Sequence, residues 1–266
     1  MKKTFLLCFI LLVAVGPVWA LDDVNDYPVV SNDKGLSGTF YVDSTQTLQR
    51  GEMQGGIYGI AFQNDSANYR RGTAEAVASA GFGWGMEGAV MVPYVVQTGS
   101  QNGLGDIKLA GKIHLTDQIE DEFPSLALAA SLELPTGDQN HGLRTVTDYG
   151  ADLLLIAQSK IELPDYTFNL MAEGGVFGQD INRTTQERHA RFGGAGFFPI
   201  DDQWVLILEG IGTSGLGNSD DYVIASGSLR LFLKGVIVTG GVDKTIATGS
   251  NAVAGNSIHG SLNFPF

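Results

Sequence analysis

Ionisable side chains recur along this chain in a pattern that could line a water-filled passage. In one segment after another, charged and polar residues occupy every second position, and aliphatic residues stand between them. In the clearest segment, 105–116, Ile107, Leu109 and Ile113 alternate with Lys108 and Lys112. Successive side chains of a strand point to opposite faces, so this alternation predicts strands with one apolar and one polar face. Charges on the inner face of a barrel could guide polar solutes if they meet water.

The polar parity of these segments predicts a set of lumen-lining residues on the solute path. They are Glu75, Glu87, Asp106, Lys108, Lys112, His114, Glu133, Asp152, Lys160, Glu173, Arg191, Glu209, Arg230 and Asp243. Two interpretations stay open for this set: a polar path for solutes, or a network of ion pairs that fills a narrow interior. The mixture of both signs argues against a specialised anion pore, which would carry a surplus of basic rings.

The histidines are the candidate general bases of an enzyme, and they give it little support. None of His114, His141, His189 and His259 lies in a nucleophile-elbow motif, and a Ser–His pair without a motif has to be recognised by geometry. Carboxylates in 179–187 and 214–221 lack the spaced ligand loop of a calcium site. We therefore expect no catalytic residue, no metal and no cofactor; an outer-membrane hydrolase is the less favoured alternative.

The first twenty residues predict export. Two lysines precede an apolar run, Thr4–Val15, and a small-x-small-like cleavage site ends at Ala20. The apolar run is shorter than the roughly 20 residues that a spanning helix needs. We expect a signal peptide over residues 1–20, cleaved near Ala20, and a location in the outer membrane of a Gram-negative bacterium.

Composition excludes several classes of protein. The formal net charge is −13, and so acidic a chain is a poor match to nucleic acid, whose phosphates call for a basic patch. The single cysteine, Cys8, lies in the predicted signal peptide. The mature chain is therefore expected to have neither disulfides nor cysteine-metal sites. No stretch after residue 20 has the roughly 18 consecutive apolar residues of a further spanning helix.

About twelve alternating segments predict the strands of one barrel. They are Met53–Gln63, Thr73–Gly83, Glu87–Gln97, Gly105–Thr116, Ser125–Pro135, Asp148–Ile161, Tyr166–Phe177, Arg188–Phe198, Trp204–Thr213, Tyr222–Leu233, Val236–Asp243 and Ser257–Phe266. In Met53–Gln63, the apolar parity is that of Tyr58, Ile60 and Phe62. Long, polar outer connections alternate with mostly shorter inner ones, as in outer-membrane barrels. We expect an all-β, transmembrane, antiparallel up-and-down β-barrel over residues 52–266, with both termini periplasmic.

Residues 21–51 form a polar N-terminal region with four aspartates, from Asp22 to Asp33. The sequence leaves open whether this region is a periplasmic lead, a plug inside the barrel or an extra strand. We take it as a lead, with the barrel beginning near Glu52.

The C-terminal segment predicts how the barrel closes. Ile258, Leu262, Phe264 and Phe266 share one parity, and an open sheet edge cannot be left in hydrocarbon. Ser257–Phe266 should therefore pair with Val236–Asp243 on one side and with Met53–Gln63 on the other. The segment resembles the C-terminal signal of bacterial outer-membrane barrels. That resemblance implies that these four residues are read by the barrel-assembly machinery.

Three stretches resemble one family. They are Val92-Pro93-Tyr94 with Gly103–Leu109, Leu132–Asp138, and Thr147–Gly150 leading to Gln158-Ser159-Lys160. Their order and spacing are similar to those of the outer-membrane family named for the MetA pathway of phenol degradation. The resemblance covers roughly Leu48–Ile161 and implies a transporter-like barrel that takes up small compounds, hydrophobic or aromatic ones among them.

The preferred function is therefore a channel or transporter for small solutes with a mixed-charge lumen. The expected partners are outer-membrane lipid and lipopolysaccharide, the barrel-assembly machinery and a small-molecule solute, with no nucleic acid. The alternative is a non-transporting structural or adhesive barrel whose lumen is plugged.

Overall fold

The computed structural model describes residues 30, 32, 34–64, 70–97, 102–119, 123–138, 143, 146, 149–182, 185–215, 221–247 and 254–266. The predicted signal peptide, its cleavage site and the first residues of the predicted lead lie outside these ranges. Within them, no helix is long and apolar enough to cross a bilayer.

Twelve antiparallel strands make up the wall in the described part of the chain, which confirms the predicted fold class. They are β1 (Met53–Asn64), β2 (Arg70–Gly83), β3 (Met86–Gln97), β4 (Ile107–Thr116), β5 (Ser125–Leu134), β6 (Gly150–Leu163), β7 (Tyr166–Asn182), β8 (Thr185–Pro199), β9 (Trp204–Gly215), β10 (Tyr222–Leu233), β11 (Val236–Ala247) and β12 (Gly255–Pro265). A two-residue strand, Gly103–Leu104, pairs with the outer end of β3.

The barrel closes where the sequence predicts it. β12 pairs with β11 and also with β1, in a register that runs from Gln54 opposite Pro265 to Asn64 opposite Gly255. Beyond the last strand residue, the amide of Phe266 donates to the carbonyl of Met53 at 2.8 Å. The closed ladder leaves no edge strand, as a bilayer requires.

Alternation of exposure separates the two faces of the wall. In β12, Ile258 is 63% exposed, whereas its neighbours Ser257 and His259 are buried. In β6, Leu153 and Leu155 are exposed, and Leu154 is buried. The exposed parity is apolar and faces lipid, and the buried parity faces the lumen.

β1 departs from the predicted orientation. Tyr58 is buried in the interior, whereas Ile57 is 56% exposed on the lipid face. Ile60 and Phe62 share the parity of Tyr58, so the inner face of β1 is apolar. The prediction that the apolar parity faces lipid was wrong for this strand, because its inward residues pack against apolar side chains that occupy the lumen.

The hairpin of β7 and β8 is longer than predicted. Residues 179–187 were expected to form an outer loop, but the ladder continues through Gln179 opposite Glu187 to Asn182 opposite Thr185. The sequence over 179–187 is mostly polar, and a hairpin that extends beyond the hydrocarbon into water needs no apolar face.

Candidate functional site in the barrel lumen

Residues 21–51 were expected to form a periplasmic lead, with a plug as the open alternative. The described part of residues 30–48, here called the inner segment, lies inside the barrel. It folds through its own backbone hydrogen bonds: Gly38 donates to Val30 at 2.8 Å, Ser44 donates to Ser37 at 2.9 Å, and Asn32 donates to Leu36 at 2.7 Å. Most of its residues are buried. The chain then leaves the lumen at the periplasmic end, where Gly51 donates to Gly81 at 3.1 Å, and β1 begins.

A buried carboxylate organises the inner segment itself. Asp43 accepts hydrogen bonds from Asn32 and from the ammonium of Lys34, both at 2.6 Å. Burial alone would raise the pKa of Asp43, but the charges of Lys34 and Lys112 and the Lys34 hydrogen bond outweigh it and hold the pKa below its usual value. Asp43 is therefore ionised at neutral pH.

Glu87 and Lys112 hold the inner segment near the periplasmic end. Glu87 accepts from the amide of Ser37 at 2.7 Å, the hydroxyl of Ser37 at 2.5 Å and the amide of Leu48 at 2.9 Å. The Nζ of Lys112 donates to the carbonyls of Ser37 at 2.8 Å and Ser44 at 2.9 Å. A carboxylate and an ammonium from two neighbouring strands thus bind the donors and the acceptors of the inner segment.

Glu209 on β9 binds the tip of the inner segment. Its Oε2 accepts from the hydroxyl of Thr39 at 2.6 Å and from the amides of Tyr41 at 2.9 Å and Val42 at 3.3 Å. One carboxylate oxygen therefore accepts from three donors of this turn, and two of these, the hydroxyl of Thr39 and the amide of Val42, also bond within the turn.

A second group of wall charges surrounds the tip from β7, β8 and β11. Glu173 accepts from the amide of Asp43 at 2.9 Å and from Nε of Arg191 at 3.0 Å. Arg191 also donates to the carbonyl of Tyr41 at 3.1 Å. The hydroxyl of Tyr41 donates to Asp243 at 2.8 Å. Charges predicted on separate strands therefore converge on this short stretch of backbone.

Arg230 and His114 complete the contacts. Arg230 donates to the carbonyl of Gly38 at 3.3 Å and to the hydroxyl of Thr239 at 3.1 Å. Nδ1 of His114 lies 3.0 Å from the carbonyl oxygen of Thr45, which can only accept, so this nitrogen carries the hydrogen.

Asp106 has a different role at the outer end. It accepts from the amides of Gly137 at 2.7 Å and Val146 at 3.0 Å. It therefore fastens the connection between β5 and β6, whose described residues Leu143 and Val146 are buried.

The remaining predicted lumen residues lie on the inner face above or below the inner segment. Glu75, Lys108, Glu133 and Asp152 occupy the outer halves of their strands, with Lys108 and Glu133 3.9 Å apart. Lys160 lies at the periplasmic end, where its ammonium is 2.9 Å from Glu162.

Sequence reasoning missed an apolar sector of the lumen. Phe40 stacks on His259 with ring centroids 4.0 Å apart and lies 5.9 Å from Tyr58. Ile207 and Ile237 belong to the same buried cluster. The sequence of β9 did indicate this apolar sector. Val205 and Ile207 are apolar but lie on the same, inward face as Glu209, so they interrupt the alternation of polar and apolar residues.

A polar cavity of about 680 Å³ lies at the periplasmic end of the lumen. The inner segment contributes Thr45 and Gln46, and the wall contributes His114, Gln158 and Asn169 among others. The lumen is thus polar below the inner segment, whereas around the inner segment it has both a polar and an apolar sector.

The four residues of the predicted assembly signal lie on the lipid-facing parity. Ile258 is 63% and Phe266 81% exposed, and Leu262 and Phe264 are partly exposed. Phe266 lies at the periplasmic rim, beside the start of β1.

Comparison with known proteins gives structural matches only. The chain matches no protein-family model and no curated protein. It is similar to the COG4313 outer membrane channel from Pseudomonas putida F1, with a TM-score of 0.61 and 13% identity over 84% of this chain and 98% of that one.

Two porins are also similar in structure. The NanC porin has a TM-score of 0.57 and 8% identity, over 79% of this chain and 98% of its own. The KdgM porin, in complex with disordered oligogalacturonate, has a TM-score of 0.52 and 9% identity, over 80% and 99%. At these identities the likeness concerns the fold alone. The chain is a twelve-stranded β-barrel with the fold of outer-membrane channels and porins.

Proposed function

We propose that this protein is an outer-membrane channel for small solutes, and that the inner segment is its gate. The observation that carries the proposal is the way the inner segment is held. Its backbone is bound by wall side chains such as Glu87, Lys112 and Glu209, through hydrogen bonds that water could replace. A polar cavity follows on the periplasmic side. Displacing the inner segment would join polar spaces into one passage.

The solute we propose carries both an aromatic or apolar part and a polar group. Inward-facing Tyr58, Phe197 and Ile207 form an apolar side of the lumen. Glu173 and Arg191 provide a charged side. A solute that offers a ring to one side and hydrogen-bonding groups to the other would replace the contacts that Phe40 and Tyr41 make now.

The location follows from the same proposal. The chain would be exported, cleaved near Ala20 and inserted into the outer membrane of a Gram-negative bacterium, with Ile258, Leu262, Phe264 and Phe266 recognised by the assembly machinery. The three similar structures named above are a channel and two porins by description, which favours transport over catalysis.

A non-transporting barrel is the second candidate, and one observation favours it. The side chains of Glu87 and Lys112 are fully buried, and a buried, fully bonded ion pair is hard to open because each charge left alone is costly. In that case the inner segment would be a permanent part of the core.

Solute flux distinguishes the two candidates. The full mature chain is placed in liposomes, and swelling is followed in phenylalanine and in serine, which share the same charges. The Glu209→Ala variant loses the acceptor for three donors of the inner segment, and Asp202→Ala, at an exposed carboxylate in the turn between β8 and β9, is the matched control. The channel proposal expects flux that rises in Glu209→Ala, stays unchanged in Asp202→Ala and is faster for phenylalanine. No flux in any folded variant would contradict it and favour the plugged barrel.

A further inference from the structure

The lipid-facing surface around the closing strands carries a row of polar and basic residues at its outer end. In the registers of β2, β1, β12 and β11, Arg70 stands opposite Gln63, Gln63 opposite Asn256, and Asn256 opposite Lys244. Residues directly opposite each other share a face. Arg70, Asn256 and Lys244 are exposed, so this row points outward.

The rows immediately below it are made of small and aliphatic residues. The next outward row is Gly72, Ala61, Ile258 and Val242, and the row below that is Ala74, Gly59, Gly260 and Gly240. A Cβ at Gly240 would meet nothing within 4 Å, and at Gly59 only one carbonyl oxygen at 4.0 Å. The wall surface is therefore low in the third row. A groove of about 1110 Å³ crosses the first two rows just above it and reaches Val96 on β3 and Leu208 on β9.

The height of the basic row matches a membrane interface. Gln63 is about ten residues from Met53 along β1, which at a rise of ~3.3 Å per residue and a tilt of ~40° is roughly 25 Å along the barrel axis. This is about the height of the apolar band of outer-membrane barrels. With Phe266 at the periplasmic rim, Arg70 and Lys244 lie at the headgroup level of the outer leaflet.

We propose that this surface binds a phosphorylated, multiply acylated glycolipid of the outer leaflet, with its phosphates on Arg70 and Lys244 and one acyl chain in the groove below. Charge complementarity supports this occupant: two cations lie at the headgroup end of an apolar groove on a chain whose net charge is −13. A second copy of the chain is a poorer fit. Copies in one membrane are related by an axis along the membrane normal, which would bring like-charged rows together at the same height. The site does not depend on solute passage.

Binding of lipid A to the full mature protein in micelles tests the proposal, with native mass spectrometry and titration as readouts. Each basic residue contributes roughly a factor of five to affinity for an anionic lipid surface, so the double variant Arg70→Gln/Lys244→Gln should bind about 30-fold more weakly. Arg188→Gln is the matched control, because Arg188 is exposed near the outer end of β8, away from the groove. It should bind like the unchanged protein.

A second, independent test of the proposal fills the groove with a larger side chain. Gly72→Leu should also weaken lipid A binding, whereas Gly174→Leu, at an exposed lipid-facing glycine of β7 with open space around it, should not. Heat-modifiable gel migration checks that each variant is folded, and the charge variants still decide the matter if Gly72→Leu does not fold. Two results with the ligand would overturn the proposal: equally tight binding of dephosphorylated lipid A, or displacement of lipid A by millimolar inorganic phosphate. Two results with the variants would also overturn it. Arg188→Gln could weaken binding as much as the double variant, or Gly72→Leu could abolish self-association of the protein instead of lipid binding.

Discussion

Nζ of Lys112 lies 3.2 Å from Oε1 of Glu87, and neither side chain has measurable exposure. The pair joins β4 to β3, and each partner also binds the inner segment. Charges in the wall of a membrane barrel are costly unless they meet water or each other. The backbone of Ser37, Ser44 and Leu48 supplies further hydrogen bonds to this pair, so its charges meet each other and protein groups.

Replacing Lys112 by methionine should release the inner segment. The substitution keeps an unbranched side chain, one atom shorter, and leaves Glu87 buried without its cation, which costs about 3–5 kcal/mol. Amide hydrogen exchange of residues 34–48 should become faster by orders of magnitude while the strands stay protected. Lys160→Met is the control, because its partner Glu162 is 63% exposed, and an ion pair with so solvated a partner contributes about 1 kcal/mol or less. Equal exchange in the two variants would contradict a holding role for Lys112.

Gly35 should tolerate no side chain. Its φ is +83°, and a Cβ would lie 2.8 Å from Cβ of Ala89 and 2.9 Å from Cγ1 of Val77. Gly51 has a similar φ of +87° with nothing within 4 Å, so Gly51→Ala isolates the backbone strain of about 1–2 kcal/mol. Gly35→Ala should cost about 1–3 kcal/mol more, because the contact with the wall is overpacked. Chemical unfolding of the barrel in micelles measures both costs as changes in the free energy of unfolding. A smaller loss at Gly35 than at Gly51 would contradict the packing.

Acid should weaken the docking of the inner segment. The pKa of Asp43 is lowered in the folded protein, so its carboxylate stabilises docking fully above the unfolded value of about 3.9. That contribution begins to be lost as the pH falls below about 4, and it is gone once the pH has fallen below the lowered pKa of the folded protein. Conductance in planar bilayers should therefore be constant from neutral pH to about 4 and rise below it. Asp43→Asn should conduct more at neutral pH, with a shallower rise in acid. If the conductance of Asp43→Asn rises equally steeply in acid, groups other than Asp43 cause the rise.

Phe266 should matter more for assembly than for stability. Its side chain is 81% exposed, and its backbone hydrogen bonds to Met53 do not need the ring. Phe266→Ala should fold more slowly on purified assembly machinery in proteoliposomes, with little change in the temperature at which the folded gel band disappears. Val242→Ala, also on the lipid face and 63% exposed, is the control. Equal assembly rates for the two variants would contradict the role in assembly that the C-terminal resemblance implies for Phe266.

The barrel wall could be predicted from sequence because each strand carries its own signal. A segment such as Ile107–Thr116 alternates strictly, since one face meets lipid and the other meets polar groups. Closure of β12 on β1 also followed, because lipid forbids an open edge. The orientation of β1 did not follow, because Tyr58 faces inward only as a partner of Phe40, which the alternation of β1 alone cannot reveal.

The sequence identified the polar residues on the inner face of the barrel, but it did not predict that they bind the inner segment. The inner segment is short and has no strand or helix period, so nothing local indicates that it is buried. Its burial depends on wall residues far along the chain, such as Glu209, which binds Tyr41 across 168 positions. Many of the residues predicted to line a solute path therefore contact protein backbone in this structure, and their part in transport depends on whether the inner segment can leave.

A reversible cross-link between the inner segment and the wall tests that dependence most directly. The hydroxyls of Thr45 and Ser125 are 2.7 Å apart, so cysteines at both positions are placed to form a disulfide. The only native cysteine, Cys8, belongs to the predicted signal peptide. In liposomes, Thr45→Cys/Ser125→Cys should pass phenylalanine when reduced and stop when oxidised, while each single-cysteine variant should be insensitive to oxidation. Equal flux in the oxidised and reduced double variant, with the disulfide verified, would contradict a gating inner segment.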